Sequence, residues 1–134
     1  MFLNERLRPL GLSAGQFPVL MLLANEQNIT QETLVRHYHL DKGTIARAVK
    51  KLETAGYIRR ITDPGNRRAV RLFLTKKGEQ ALPALHAINH AWESLAFSGM
   101  NAQDKKTCRH LMRTVTMNVF TYMHTAGGLP DAGE

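Results

Sequence analysis

The feature that most constrains this chain is a change of hydrophobic period at Gly56. Before it, Ile45, Ala48, Val49 and Leu52 recur at i, i+3, i+4 and i+7, one face of an α-helix. After it, Val70, Leu72 and Leu74 alternate with Arg71 and Phe73, the two-residue period of a strand. Tyr57 to Thr62 is a second strand-like run, rich in β-branched and aromatic residues. Between the two lies Asp63-Pro64-Gly65-Asn66-Arg67-Arg68, turn chemistry with two arginines at its tip. Helical spacing on both sides of a single β-hairpin predicts a mainly α fold with a small β-hairpin wing.

The flanking helices have start and stop signals. Ser13 and Gln16 read as a capping box opening a helix to about Ala24, with Phe17, Leu20, Met21 and Ala24 on one face. Ahead of it, Phe2 to Leu7 has room only for a short helix. Thr30 is an N-cap for a helix over 31–38, with Leu34, Val35 and Tyr38 inward, and Asp41 is an N-cap for the next, which Gly56 stops. Thr75-Lys76-Lys77-Gly78 opens a long helix to about Ser98, with a kink expected near Pro83. Asn101 with Asp104 caps a last helix to about Thr125. Along it Cys108, Met112, Val115, Val119 and Tyr122 follow spacings of 4, 3, 4 and 3, a heptad-like seam fit for helix pairing.

Charge is distributed as unevenly as period. The 134 residues have a formal net charge of +7. Residues 36 to 77 hold twelve basic side chains against three acids, a local charge of +9, and the other 92 residues come to −2. At 100° per residue, Gly43, Arg47 and Lys50 point away from the apolar side of the helix after Asp41, with Thr44 and Lys51 on its flank. A cationic surface confined to one third of the chain is the electrostatic footprint of a polyanion partner. A membrane surface would call for bulky apolar anchors on a basic helix, and this window mixes helix and strand instead.

Other function classes fare worse. With 43% apolar and 22% charged residues the chain is neither disordered nor collagenous. Its longest apolar run, Phe17 to Ala24, is too short to span a bilayer, and the residues after Met1 lack a signal peptide's basic start and apolar stretch. A single cysteine, Cys108, excludes an internal disulfide. These features predict a cytoplasmic protein. No nucleophile–base pair, carboxylate pair or Gly-rich phosphate loop points to an enzyme. His86 and His90 stand four apart, but no third ligand follows at metal spacing, so neither a metal nor another cofactor is expected.

Helix, short helix, basic-faced helix and hairpin, in that order, are the parts of a winged helix-turn-helix. A helix fits the major groove of double-stranded DNA, and arginine at a hairpin tip can enter the narrow minor groove, where the potential is most negative. The chain resembles the MarR family of transcription regulators. The resemblance lies in Leu10-Gly11-Leu12-Ser13, in the run Leu40-Asp41-Lys42-Gly43-Thr44-Ile45-Ala46-Arg47-Ala48-Val49-Lys50-Lys51-Leu52-Glu53-Thr54-Ala55-Gly56-Tyr57-Ile58, and in Asp63 to Gly78, which holds the wing and the Leu-Thr-x-x-Gly entry to a long helix. It implies a homodimer on a pseudo-palindromic operator and release by a small phenolic or anionic effector bound between the DNA-binding and dimer regions. Lys42, Gly43, Thr44, Arg47, Lys50 and Lys51 on the recognition helix, and Arg67, Arg68 and Arg71 on the wing, are the expected DNA contacts. Residues 10–77 would form the DNA-binding region, 1–9 and 78–126 the helical dimerisation region, and 127–134 a flexible tail. Two departures stand out: Asn66 occupies a position where the family usually has an acid, and the first helix is shorter than usual.

Several residues admit a second role. Phe17 and Trp92 are candidates for an effector pocket, though core or dimer packing suits them as well. Cys108 lies near Lys105, Lys106 and Arg109, which would favour a redox-sensing thiolate, but its place on the apolar seam favours packing. His37 is a candidate phosphate contact. A winged-helix module for protein or RNA partners is the alternative to operator binding, opposed by the charge lying on groove-facing positions.

Overall fold

In the computed structural model, residues 2–125 are described, except for the side chains of Arg67, Arg68, His124 and Thr125. The tail at 127–134 and the side chains of the wing residues Arg67 and Arg68 lie outside the described residues. The chain forms two compact units, Met1–Ala96 and Phe97–Glu134.

The first unit holds α1 (Phe2–Leu7), α2 (Phe17–Asn25), β1 (Ile29–Thr30), α3 (Gln31–Tyr38), α4 (Lys42–Thr54), β2 (Ile58–Asp63), β3 (Asn66–Leu74) and α5 (Lys76–Ala96). A 3-10 turn at Arg8–Leu10 follows α1. The second unit is built on α6 (Ala102–Thr125). The strands form one antiparallel sheet in the order β1-β3-β2.

Caps set most helix ends where the sequence places them. The Thr30 hydroxyl accepts from the Thr33 N–H at 3.2 Å, which starts α3. Asn101 and Asp104 cap α6 reciprocally, each side chain accepting from the other's backbone N–H, at 2.8 and 3.2 Å. Ser13 and Gln16 depart from expectation. The Gln16 carboxamide oxygen accepts from both the Ser13 N–H and its hydroxyl, each at 2.8 Å, so the serine oxygen does not cap. The segment turns instead, and α2 begins at Phe17 with Pro18 in its first turn. The long helix α5 runs through Pro83 as one element.

The core of the first unit draws on every layer. Leu7, Leu20, Leu34, Leu52, Leu72 and Leu85, from α1, α2, α3, α4, β3 and α5, are all fully buried. Each such side chain contributes on the order of 1.5–3 kcal/mol of transfer free energy. Two tyrosines lock the layers by hydrogen bonds from their hydroxyls, Tyr38 to the Pro18 carbonyl at 2.7 Å and Tyr57 to the Leu10 carbonyl. Phe17, a candidate for the effector pocket, is part of this core, and Trp92 on α5 is exposed with its ring 6.0 Å from that of Phe2.

The hairpin is longer and its turn tighter than the composition predicts. The strands extend to Asp63 and Asn66, which pair with each other, leaving only Pro64 and Gly65 between them. Asp63 Oδ1 accepts from the Gly65 N–H at 2.9 Å, an Asx turn that closes the tip. The backbone of Arg67 and Arg68 therefore belongs to β3 rather than to the loop. The third strand, β1, has no sequence signal. Its two residues pair with Leu72 and Arg71 of β3 and tie the start of α3 to the wing.

Candidate nucleic-acid interface

The turn between α3 and α4 sets the orientation of the candidate reading helix. It is closed by His39 in the left-handed conformation at φ 52°, a position where glycine is commoner but histidine is tolerated. Asp41 then caps α4. Ile45, Ala48, Val49 and Leu52 are buried, and Lys42, Gly43, Arg47, Lys50 and Lys51 are exposed on the other side with Thr44 half-buried between. Gly43, Arg47, Lys50 and Lys51 thus share one exposed surface with Thr44 at its flank, while Lys42 is exposed at the start of the helix, toward α3 and the wing.

At the N-terminal end of that surface three side chains form a chain of hydrogen bonds. Asp41 accepts twice from Thr44, through Oδ1 from the backbone N–H at 2.8 Å and through Oδ2 from the hydroxyl at 2.7 Å. The Thr44 oxygen in turn accepts from Arg47 Nη2 at 3.3 Å. The side-chain bond from Thr44, then its backbone bond and the Arg47 charge, hold the Asp41 carboxyl below its ordinary value.

The other cations of the basic window divide into two sets. Some are tied into the fold. Arg60 pairs with Glu53 at 3.2 Å, Arg59 lies over the Phe73 ring at 5.5 Å, and Lys77 Nζ donates to the Ala55 carbonyl at 2.6 Å. Arg71, expected at the DNA, has its Nε 3.8 Å from Asp63 and donates through Nη1 to Asn28 at 3.3 Å. It thereby links the wing turn to the loop before β1. This pairing supplies an acid–arginine link although Asn66 stands at the family's usual acidic position. By contrast, Lys42, Lys50 and Lys51 have no hydrogen bond or ion pair among the described residues. Their charge is uncompensated locally, which is what an anionic partner requires.

Clefts lie on either side of α4. One, of about 650 Å³, lies between the turn before α2 and the Arg47, Lys50, Lys51 and Thr54 face. The other, of about 450 Å³, lies between α3, Lys42 and the wing residues Asn66, Ala69 and Val70. Neither is lined by Phe17 or Trp92.

Away from this surface the sensing candidates are sparse. Cys108 is half-buried on α6. Among the described residues no group of three His, Cys, Asp or Glu side chains is placed to hold a metal, and no helix is long and apolar enough to cross a membrane. His37 is exposed, edge-on to Tyr38 at 4.7 Å. On α6, Leu111, Met112, Val115, Val119 and Met123 are each more than half exposed.

A turn-linked helix pair whose second helix carries unpaired cations, with a β-hairpin beside it, defines a winged helix-turn-helix protein. The MarR family model matches residues 12–70. A MarR transcriptional regulator from Methanosarcina mazei Go1 is 34% identical and superposes with a TM-score of 0.76 over 91% of this chain and 88% of its own. This chain belongs to the MarR family of transcriptional regulators. It is 33% identical over 116 residues to the HTH-type transcriptional regulator YybA of Bacillus subtilis, covering 87% of this chain and 77% of that protein. A MarR-family regulator from Listeria monocytogenes, solved in complex with a 26-mer DNA, is 28% identical with a TM-score of 0.81, over 96% of this chain and 87% of its own. These relatives are regulators rather than enzymes.

Proposed function

We propose that this regulator binds a pseudo-palindromic operator as a homodimer, with α4 in the major groove and the wing beside the adjacent minor groove. The observation that carries this reading is the face of α4, where Lys42, Lys50 and Lys51 have no hydrogen bond or ion pair among the described residues, beside an ordered Arg47. Lys42, Gly43, Thr44, Arg47, Lys50 and Lys51 form the recognition-helix face, on which the side chains of Lys42, Arg47, Lys50 and Lys51 make the contacts. One of Arg67 and Arg68, which follow the turn in β3, is assigned to the minor groove, and Arg71 to holding the wing and neutralising phosphate. The Listeria relative, solved with a 26-mer DNA, supports DNA as the partner.

Residues 10–77 are the DNA-binding region, and 1–9 with 78–126 the dimerisation region. The exposed apolar seam of α6 supports pairing with a second copy, because a monomer would leave it in water. A small phenolic or anionic effector that releases the DNA, and a cytoplasmic location, complete the proposal. Selection of duplexes from a random pool tests it: a palindromic winner with half-sites about 10 bp apart is the expected result. Arg47→Ala is expected to relax sequence preference, and binding should weaken steeply with salt. Unchanged operator protection by that variant at physiological salt would overturn the assignment of α4.

A further inference from the structure

We infer that Thr44 determines specificity through Arg47, as the hinge of a relay that holds the guanidinium in its reading position before DNA arrives. The inference rests on the reading of α4 as the major-groove helix.

A hydroxyl has one proton to donate, and Thr44 gives it to Asp41 Oδ2 at 2.7 Å. Its oxygen is thereby left facing the other way, as an acceptor, and Arg47 Nη2 donates to it at 3.3 Å. The direction of the relay is fixed by charge, since the carboxylate only accepts and the guanidinium only donates. A second bond, from the Thr44 N–H to Asp41 Oδ1 at 2.8 Å, anchors the carboxylate to the first turn of α4. The neighbouring residue leaves room for this arrangement. A Cβ on Gly43 would lie 3.2 Å from Arg47 Nη1 and 3.2 Å from Asp41 Oδ1, pressing on both ends of the relay. Gly43 is mid-turn in a helix, with no left-handed φ to explain it. Its lack of a side chain instead keeps the guanidinium close to the helix.

Arginine is costly to order, because its long side chain loses many rotamers when a base edge fixes it. A guanidinium already held at the helix N-terminus avoids part of that loss. Preorganisation of this kind improves discrimination without adding a contact to DNA. Thr44 is thus a positioning residue, and its hydroxyl is occupied within the protein.

The experiment uses the full chain and the operator recovered by selection. Affinities for that operator and for a random duplex are measured for wild type, Thr44→Val, Gly43→Ala, Arg47→Ala and the double variant Thr44→Val with Arg47→Ala. Thr44→Val and Gly43→Ala are each expected to lower the operator-to-random ratio about tenfold, and Thr44→Ser to restore it. In the Arg47→Ala background, Thr44→Val is expected to change the ratio no further, because the two residues act as one. A further loss there would mean that Thr44 reads DNA itself and would overturn the relay. A normal ratio in Thr44→Val alongside a lost one in Arg47→Ala would also overturn it while leaving the DNA-binding reading intact. A normal ratio in Arg47→Ala would instead sink the reading of α4.

Discussion

The ammonium of Lys77 sits 2.6 Å from the carbonyl oxygen of Ala55, joining the first turn of α5 to the C-terminal end of α4. The same nitrogen lies 4.5 Å from the centre of the Tyr57 ring. Thr75 reinforces the junction, its hydroxyl donating to the Gly56 carbonyl at 2.6 Å. The end of α4 opposite the relay is therefore fixed by residues that the sequence offers only as the entry to the long helix.

A cation at a helix C-terminus and over an aromatic face is favourable on both counts. Lys77→Met, which keeps the aliphatic stem, is expected to lower stability by about 1 kcal/mol. Lys76→Met, which touches no helix end in this way, is the control and should cost less. Urea denaturation of the two variants checks the difference.

Gly78 meets the backbone directly: a Cβ there would collide with the Tyr57 carbonyl oxygen and lie 3.1 Å from Leu74 Cδ2. Neither the carbonyl nor the strand behind it can yield without moving the sheet. Gly78→Ala is expected to destabilise by about 1–3 kcal/mol, as overpacking does. A shifted guanidinium midpoint with unchanged m-value is the readout.

The Tyr38 hydroxyl donates to Pro18 at 2.7 Å, and burial raises its pKa above the ordinary 10.0. A raised native pKa means a contribution that is full below pH 10.0 and lost as pH climbs through the native value. Tyr38→Phe is expected to cost about 1 kcal/mol at neutral pH and to flatten part of the alkaline decline. Tyr57, raised by burial in the same direction, should leave the remainder. Thermal melts between neutral pH and pH 11 would measure both effects.

Asp41 behaves in the opposite sense. Its native carboxyl titrates below 3.8, so its contribution is full above that value and lost as pH falls through the lowered native one. Asp41→Ala is expected to melt at a lower temperature than wild type at neutral pH. The gap should close on acidification, when wild type too loses the charged cap. An equal gap at every pH would show that the charge of the cap is immaterial.

Much of this architecture was legible in the sequence because it is written in local chemistry. Thr30, Asp41 and the Asn101–Asp104 pair cap helices through atoms within three residues of each other, so spacing suffices to find them. The buried side of α4 follows from period alone, and its exposed cations follow from being opposite. Ser13 and Gln16 misled because a carboxamide can accept both donors of Ser13, an arrangement with the same spacing as a cap. Asn66 and Asp63 shortened the hairpin turn by pairing across it, which composition cannot distinguish from a longer loop.

The sequence by itself determined which helix faces are apolar and that the positive charge lies in one third of the chain. Both properties depend on neighbours along the backbone. The tertiary structure decided which of those charges remain available. Arg71 is bound to Asn28, Lys77 to Ala55 and Leu74 to Gln27, across separations of 43, 22 and 47 residues. No local pattern encodes such pairings, because they exist only once packing has brought distant segments within hydrogen-bond reach.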